Sequence, residues 1–377
     1  MKTRPHSPAG LPPSRPLLPA QQACGASHHP NRARQRQRGL SLLELLIALL
    51  LGLVLLGAVS TAYLANRQTF RQVENLARVN ENARTTFELL GRELREAGGT
   101  HCGARVPTAN VVRAAVNPPW WSDWGRGLQG YESNQELPAA LPQIDNTPNP
   151  AATRRVPGTD ALIIWSGSVL PPVSIVVHNP PAASLQVVNA NHGLNDGDIV
   201  MACDMAQAAI FQISNSNPAN STIVHNTGAV VQPGNCRREL GLSPAPPHDC
   251  STAGSDHSFA GGGFLGRLSA SAWYIGFNGR GGTSLYRAAL SSTNGVAGAA
   301  PEEVIENVTD LELQYLEPNA AGALPAAYVD ANLVTDWNRV QAVRLEPTFV
   351  TAEAVGTDGN PINRPLPFVV GIRTRLP

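Results

Sequence analysis

The chain has 377 residues, enough for one large domain or two ordinary ones, and its apolar fraction of 42% supports a real core and excludes a wholly disordered chain. With 34 Gly, 32 Pro and only 5% aromatic residues, the composition favours a loop-rich β domain over a helical bundle. The formal charge of zero hides an asymmetry: residues 1–39 carry Lys2, Arg4, Arg15, Arg32, Arg34, Arg36 and Arg38 and no acid, leaving 21 basic against 28 acidic residues beyond, the wrong balance for a nucleic-acid-binding domain.

The basic, Pro-rich leader ends in an apolar run. From residue 40 to 64 the only ionisable groups are Glu44 and Tyr63. At 1.5 Å per residue such a helix is roughly 37 Å long, enough to cross the hydrocarbon layer. The run is predicted to span a membrane, with the Arg32 to Arg38 cluster on the cytoplasmic side and the rest of the chain outside, although Arg67 and Arg71 reduce the contrast. A cleaved secretory signal ending near Ala58-Val59-Ser60 is the alternative, but the run is too long for it and the acid is unexplained. Cys24 has no apolar stretch before it, as a lipoprotein would need, and the leader lacks paired arginines.

An ionised carboxylate in the bilayer costs roughly 2.5 to 3.5 kcal/mol on insertion scales, so Glu44 needs a partner. Cleavage between Gly39 and Leu40 would supply one, a new amine about one helical turn away, on the same chain or on a neighbour in a stack of such helices. Opposite charges about 4 Å apart gain on the order of 4 kcal/mol at an effective dielectric of 20, which offsets burial. Gly39, Leu40 and Glu44 followed by the apolar run resemble the class III signal of type IV prepilins and type II secretion pseudopilins. The resemblance implies that a prepilin peptidase cuts after Gly39 and methylates the amine of Leu40, where the family usually has Phe.

Beyond the run, Val73, Asn80, Phe87 and Leu94 recur every seven residues, as do Leu76, Ala83, Leu90 and Ala97, with Arg and Glu between them. This predicts one amphipathic helix over residues 65–98, continuous with the span, roughly 58 residues and about 87 Å in all. Gly98-Gly99 stops it. The stripe is expected to be core, with Asn80 as a polar seam residue suited to a partner contact.

From residue 99 to the end, short apolar runs separated by turn residues predict a β-rich head: 161–165, 173–177, 198–202, 209–213, 272–277, 311–316, 340–345 and 368–372. Asn278-Gly279 with Gly281-Gly282 reads as a turn joining 272–277 to 284–287. Residues 106–157, with P-P-W-W and P-N-P, read as a long surface insertion. The predicted fold class is α+β: a long N-terminal helix packed on an antiparallel sheet, pilin-like. Outside the leader the cysteines number four, Cys102, Cys203, Cys236 and Cys250, as expected of an exported domain with two disulfides. Three pairings are possible; the short loop favours Cys236 with Cys250, leaving Cys102 with Cys203.

Several stretches resemble the PilW family of minor pilins: L-G-R-E-L-R-E-A-G-G-T-H-C-G (90–103), G-D-I-V-M-A-C-D-M-A-Q-A-A-I-F-Q-I (197–213), W-Y-I-G-F-N-G-R-G-G-T-S-L-Y-R (273–287), W-N-R-V-Q-A-V-R-L (337–345) and G-I-R-T-R-L-P (371–377). The resemblance implies the Cys102–Cys203 pairing, incorporation into a type IV pilus at or near its tip, and partnership with other minor pilins, the major pilin and a large tip adhesin. Its implied location is the inner membrane, N-terminus cytoplasmic and head periplasmic, and then the surface pilus. Pro347 departs from the family, where a strand runs on, and predicts an edge strand here. Two rivals share parts of this pattern: a type II secretion pseudopilin, and a binding or adhesin domain that uses the span only as a tether.

No enzyme is expected. G-G-G-F-L-G (261–266) fits a dinucleotide pattern by letter but follows no buried strand. G-x-S-x-G and H-E-x-x-H do not occur. His101-Cys102 and His248-Asp249-Cys250 could ligate zinc, but disulfides account for those thiols better. Asp330, Asn332 and Asp336 lack calcium-loop spacing. No cofactor, metal or nucleic acid is expected.

Overall fold

The computed structural model describes residues 39, 41–102, 106–113, 119–167, 171–217, 219–228 and 230–375. The chain divides into two compact units, Met1–Tyr63 and Leu64–Pro377. Cys24 and the rest of residues 1–38 lie outside the described residues, as does Leu40.

One long helix, α1 (Leu42–Glu96), belongs to both units. In the first unit its leucines and Ile47 are exposed, and the stretch is long and apolar enough to cross a membrane. In the second unit its buried residues are Asn75, Val79, Thr86, Leu90, Gly91 and Leu94. The sevenfold pattern therefore holds from residue 83 onward but is out of phase before it: Asn80 and Val73 face solvent and Asn75 is buried. Asn75 is tolerated there because both ends of its amide are used, Nδ2 donating to the Arg71 carbonyl and Oδ1 accepting from Glu353 N–H. The helix stops where the sequence says it should. Gly98 takes φ +70°, its N–H donates to the Trp165 carbonyl at 2.8 Å, and Thr374 Oγ1 donates to the Ala97 carbonyl at 2.7 Å. A side chain at Gly127, also at φ +70°, would strike the Gly98 backbone, so this close approach requires glycine.

The head holds sixteen strands among the described residues: β1 (Thr108–Asn110), β2 (Leu128–Tyr131), β3 (Ala161–Gly167), β4 (Val173–Asn179), β5 (Ser184–Val187), β6 (Ile199–Cys203), β7 (Ala208–Gln212), β8 (Asn215–Asn217), β9 (Thr222–Val224), β10 (Phe264–Phe277), β11 (Thr283–Thr293), β12 (Val296–Glu306), β13 (Val308–Leu316), β14 (Ala342–Val350), β15 (Asn363–Pro365) and β16 (Phe368–Gly371). Strand β10 is shared by two ladders. Its first residues pair with β4 and β6, and from Leu268 onward it pairs with β3 and β11. The resulting twelve-stranded sheet is mixed rather than purely antiparallel, because β1 runs parallel to β7. A second sheet holds β13 to β16.

Between α1 and the strands, Val79, Leu90, Leu94 and Ala97 pack with Trp273, Leu285, Leu311, Leu345, Phe349 and Ile372 in one core. Phe87 meets Phe368 edge to face, with ring centres 5.1 Å apart. The fold is thus α+β, a long apolar helix with a large mixed β region.

Two further expectations fail. The segment 106–157 is not a surface insertion: it contributes β1 and β2, and Trp120, Trp121, Leu128 and Arg155 are buried. The Arg155 guanidinium is kept inside by carbonyls of Glu132, Gln135 and Thr159. Pro347 is not on an edge strand, since β14 pairs with β13 on one side and with β15 and β16 on the other. Its carbonyl accepts from Leu366 N–H at 3.0 Å, so its nitrogen faces the same side, at the break between β15 and β16 where no donor is required.

Candidate functional site

The sequence pointed to the start of α1, and the local geometry there follows from S-L-L-E (41–44). Ser41 precedes the first helical residue. Its Oγ accepts the Glu44 N–H at 3.1 Å, and its carbonyl accepts from Leu45 N–H at 3.2 Å. Ser41 is thus an N-cap, with an acid three residues on as in a capping box. The helix begins at Leu42, and Gly39 is exposed and outside it. Glu44 is exposed in the first turn, where a carboxylate also complements the helix dipole.

The disulfide cysteines belong to the other unit. Cys102 is joined to Cys203, at the end of β6, and Cys236 to Cys250; both pairs have Cα atoms 5.8 Å apart. His248, next to Asp249-Cys250, has Nδ1 2.9 Å from Ser243 Oγ. Among the described residues no group of three or more His, Cys, Asp or Glu is placed to hold a metal ion. The 261–266 glycines lead straight into β10, and no α-helix follows them among the described residues.

Sequence reasoning missed the polar joint between helix and head. Glu93 accepts from Ser271 Oγ at 2.6 Å and Trp273 Nε1 at 2.8 Å, and pairs with Arg287 at 2.6 Å. Arg287 in turn lies over the Trp273 ring at 5.7 Å. A signal was present: Val79, Thr86 and Glu93 are spaced by sevens beside the apolar stripe, a position for an acid only where the facing strand supplies donors. Lower on the same helix, Arg71 pairs with Glu353 at 2.6 Å and Asn82 Nδ2 donates to the Glu306 carbonyl at 3.2 Å.

A model of the prokaryotic N-terminal methylation motif matches residues 34–60. No curated protein and no solved structure matches the chain. The motif, set on an exposed apolar helix, indicates a type IV pilin-like or pseudopilin-like prepilin substrate, one processed by prepilin peptidase, and points to membrane anchoring of a structural rather than catalytic protein.

Proposed function

We propose that the chain is a PilW-like minor pilin. Prepilin peptidase cuts after Gly39 and methylates Leu40; residues 1–39 leave as the leader, 40–64 anchor the protein in the inner membrane, 65–98 form the amphipathic half of the helix, and 99–377 form a periplasmic head. The protein then enters the type IV pilus at or near its tip, alongside other minor pilins, the major pilin and a large adhesin. The observation that carries this reading is the methylation motif at 34–60, with its acid on the first turn of an unburied apolar helix. Glu44 reaches the amine of a neighbouring subunit and acts as an assembly determinant.

As sole copy, a Glu44→Ala variant is expected to be cleaved nearly as well as wild type and to yield few sheared surface pili. Normal piliation would remove the docking role. The pseudopilin alternative has the same N-terminus, and differs in leaving the processed protein in membranes rather than in surface filaments.

A further inference from the structure

His178 is the penultimate residue of β4, and His225 follows β9. Between them runs β5, paired with both strands. The two rings are 7% and 0% exposed and meet edge to face, Nε2 to Nε2 at 3.2 Å. Their proton positions follow from a third contact. Phe259 N–H, in the segment leading into β10, donates to His178 Nδ1 at 3.2 Å, so that nitrogen carries a lone pair and the His178 proton sits on Nε2. That proton is donated to His225 Nε2, leaving the His225 proton on Nδ1. A second proton fits nowhere: on His178 Nδ1 it would confront the Phe259 N–H, and on His225 Nε2 it would confront the His178 N–H.

We propose that the His178–His225 pair is an acid-released latch. Neutral, it fastens the end of β4 to the segments after β9 and before β10; protonation of either ring parts them, opening the β4–β5–β9–β8 ladder while the rest of the head stays folded. The surroundings fit this. Phe259 stacks on His178, and Phe211 of β7 packs on His225 with ring centres 5.3 Å apart, so neither supplies a counter-charge. The ionisable neighbours are His257, paired with Asp204 at 2.6 Å, and Asp256 on the segment before Phe259; at His225 the backbone carbonyls of His225 and Arg238 favour the charged ring, but by less than burial opposes it. Burial first, and then the charge of His257, hold His178 below the usual imidazole range; burial and then His178 do the same for His225. The inference is independent of how the N-terminus is processed.

The test is hydrogen exchange by mass spectrometry on the full-length protein in detergent micelles, from pH 7 to 4.5, corrected for intrinsic rates. An opening that takes up one proton becomes about tenfold more frequent per pH unit below about 6.5. Peptides from β4 and β9 are expected to lose about eightfold protection from pH 6 to pH 5, with β14 changing less. The double variant His178→Gln, His225→Gln is expected to lose that slope. Equal β4 protection at pH 7 and 4.5, or an unchanged slope in the double variant, overturns the proposal. If the variant does not fold, histidine NMR of the wild type decides: two neutral rings at pH 6, protonated on Nε2 of His178 and Nδ1 of His225, are required, and a charged ring in the folded state refutes it.

Discussion

Replacing Glu93 tests whether the helix is held to the head by a polar joint as well as by its apolar stripe. In Glu93→Ala the indole N–H of Trp273, a residue 1% exposed, loses its acceptor and Arg287 loses its ionic partner. An orphaned buried donor costs about 1–3 kcal/mol. Breaking a fully buried ion pair costs about 3–5 kcal/mol, but the side chains here retain 15% and 30% of their exposure, so the lower end applies. The loss for Glu93→Ala is therefore about 3 kcal/mol. Glu93→Gln keeps a neutral acceptor for the indole and should lose about 1 kcal/mol. With an unfolding entropy of about 2.1 cal/mol/K per residue over a unit of about 310 residues, these translate to melting shifts of about 5 °C and 1.5 °C. Thermal melts of the detergent-solubilised protein, followed by tryptophan fluorescence and circular dichroism, measure both. The argument is refuted if Glu93→Ala melts within 1 °C of wild type, or if the Gln variant loses as much as the Ala variant. A double-mutant cycle with Arg287→Ala should show a coupling of about 0.5–3 kcal/mol.

Three further outcomes are expected. The Cys102–Cys203 bridge spans 101 positions and Cys236–Cys250 spans 14, so the chain-entropy model gives about 4.7 against about 3 kcal/mol. The double serine variant of the first pair should therefore melt lower than that of the second, and the reverse order would count against it. Burial raises the Asp160 carboxyl to about 7, against the Leu313 N–H that it accepts at 2.8 Å. Its folded value lies above its unfolded one, so its contribution is full below about pH 3.8 and is lost as pH rises through 7. Asp160→Asn should accordingly gain stability relative to wild type between pH 5 and 9 in denaturant titrations; a pH-independent difference would contradict this. Gly130→Ala places a methyl group on the hydroxyl of fully buried Tyr315 and should cost about 1–3 kcal/mol, measurable by the same titration and refuted by a neutral result.

What could be read from the sequence was whatever local chemistry decides. Gly98 marks the helix stop, and A-L-I-I-W or D-I-V-M-A mark buried strands whatever surrounds them. What could not be read depended on partners distant in sequence. Asn75 is buried because a backbone N–H of Glu353 reaches it, and no periodicity in the helix encodes that. Strands β10 to β12 extend through L-S-A-S-A (268–272) and V-A-G-A-A-P (296–301), small residues with little intrinsic strand preference, held by their ladder neighbours. Trp120 and Trp121 follow two prolines and look like an exposed loop, yet the Trp165 indole N–H donates to the Trp120 carbonyl at 3.1 Å and draws the turn inward. The polar joint at Glu93 was missed for the same reason: its donors come from strands nearly 180 and more residues away.

The central claim is that the chain is a prepilin cut after Gly39 and assembled as a minor pilin. Mass spectrometry of the N-terminus, in sheared surface filaments and in washed membranes, addresses it directly. The account predicts an N-methyl-Leu40 terminus in the filaments. The same terminus confined to membranes would contradict the minor pilin and favour a pseudopilin, and an intact leader or a start at Thr61 would contradict the prepilin itself.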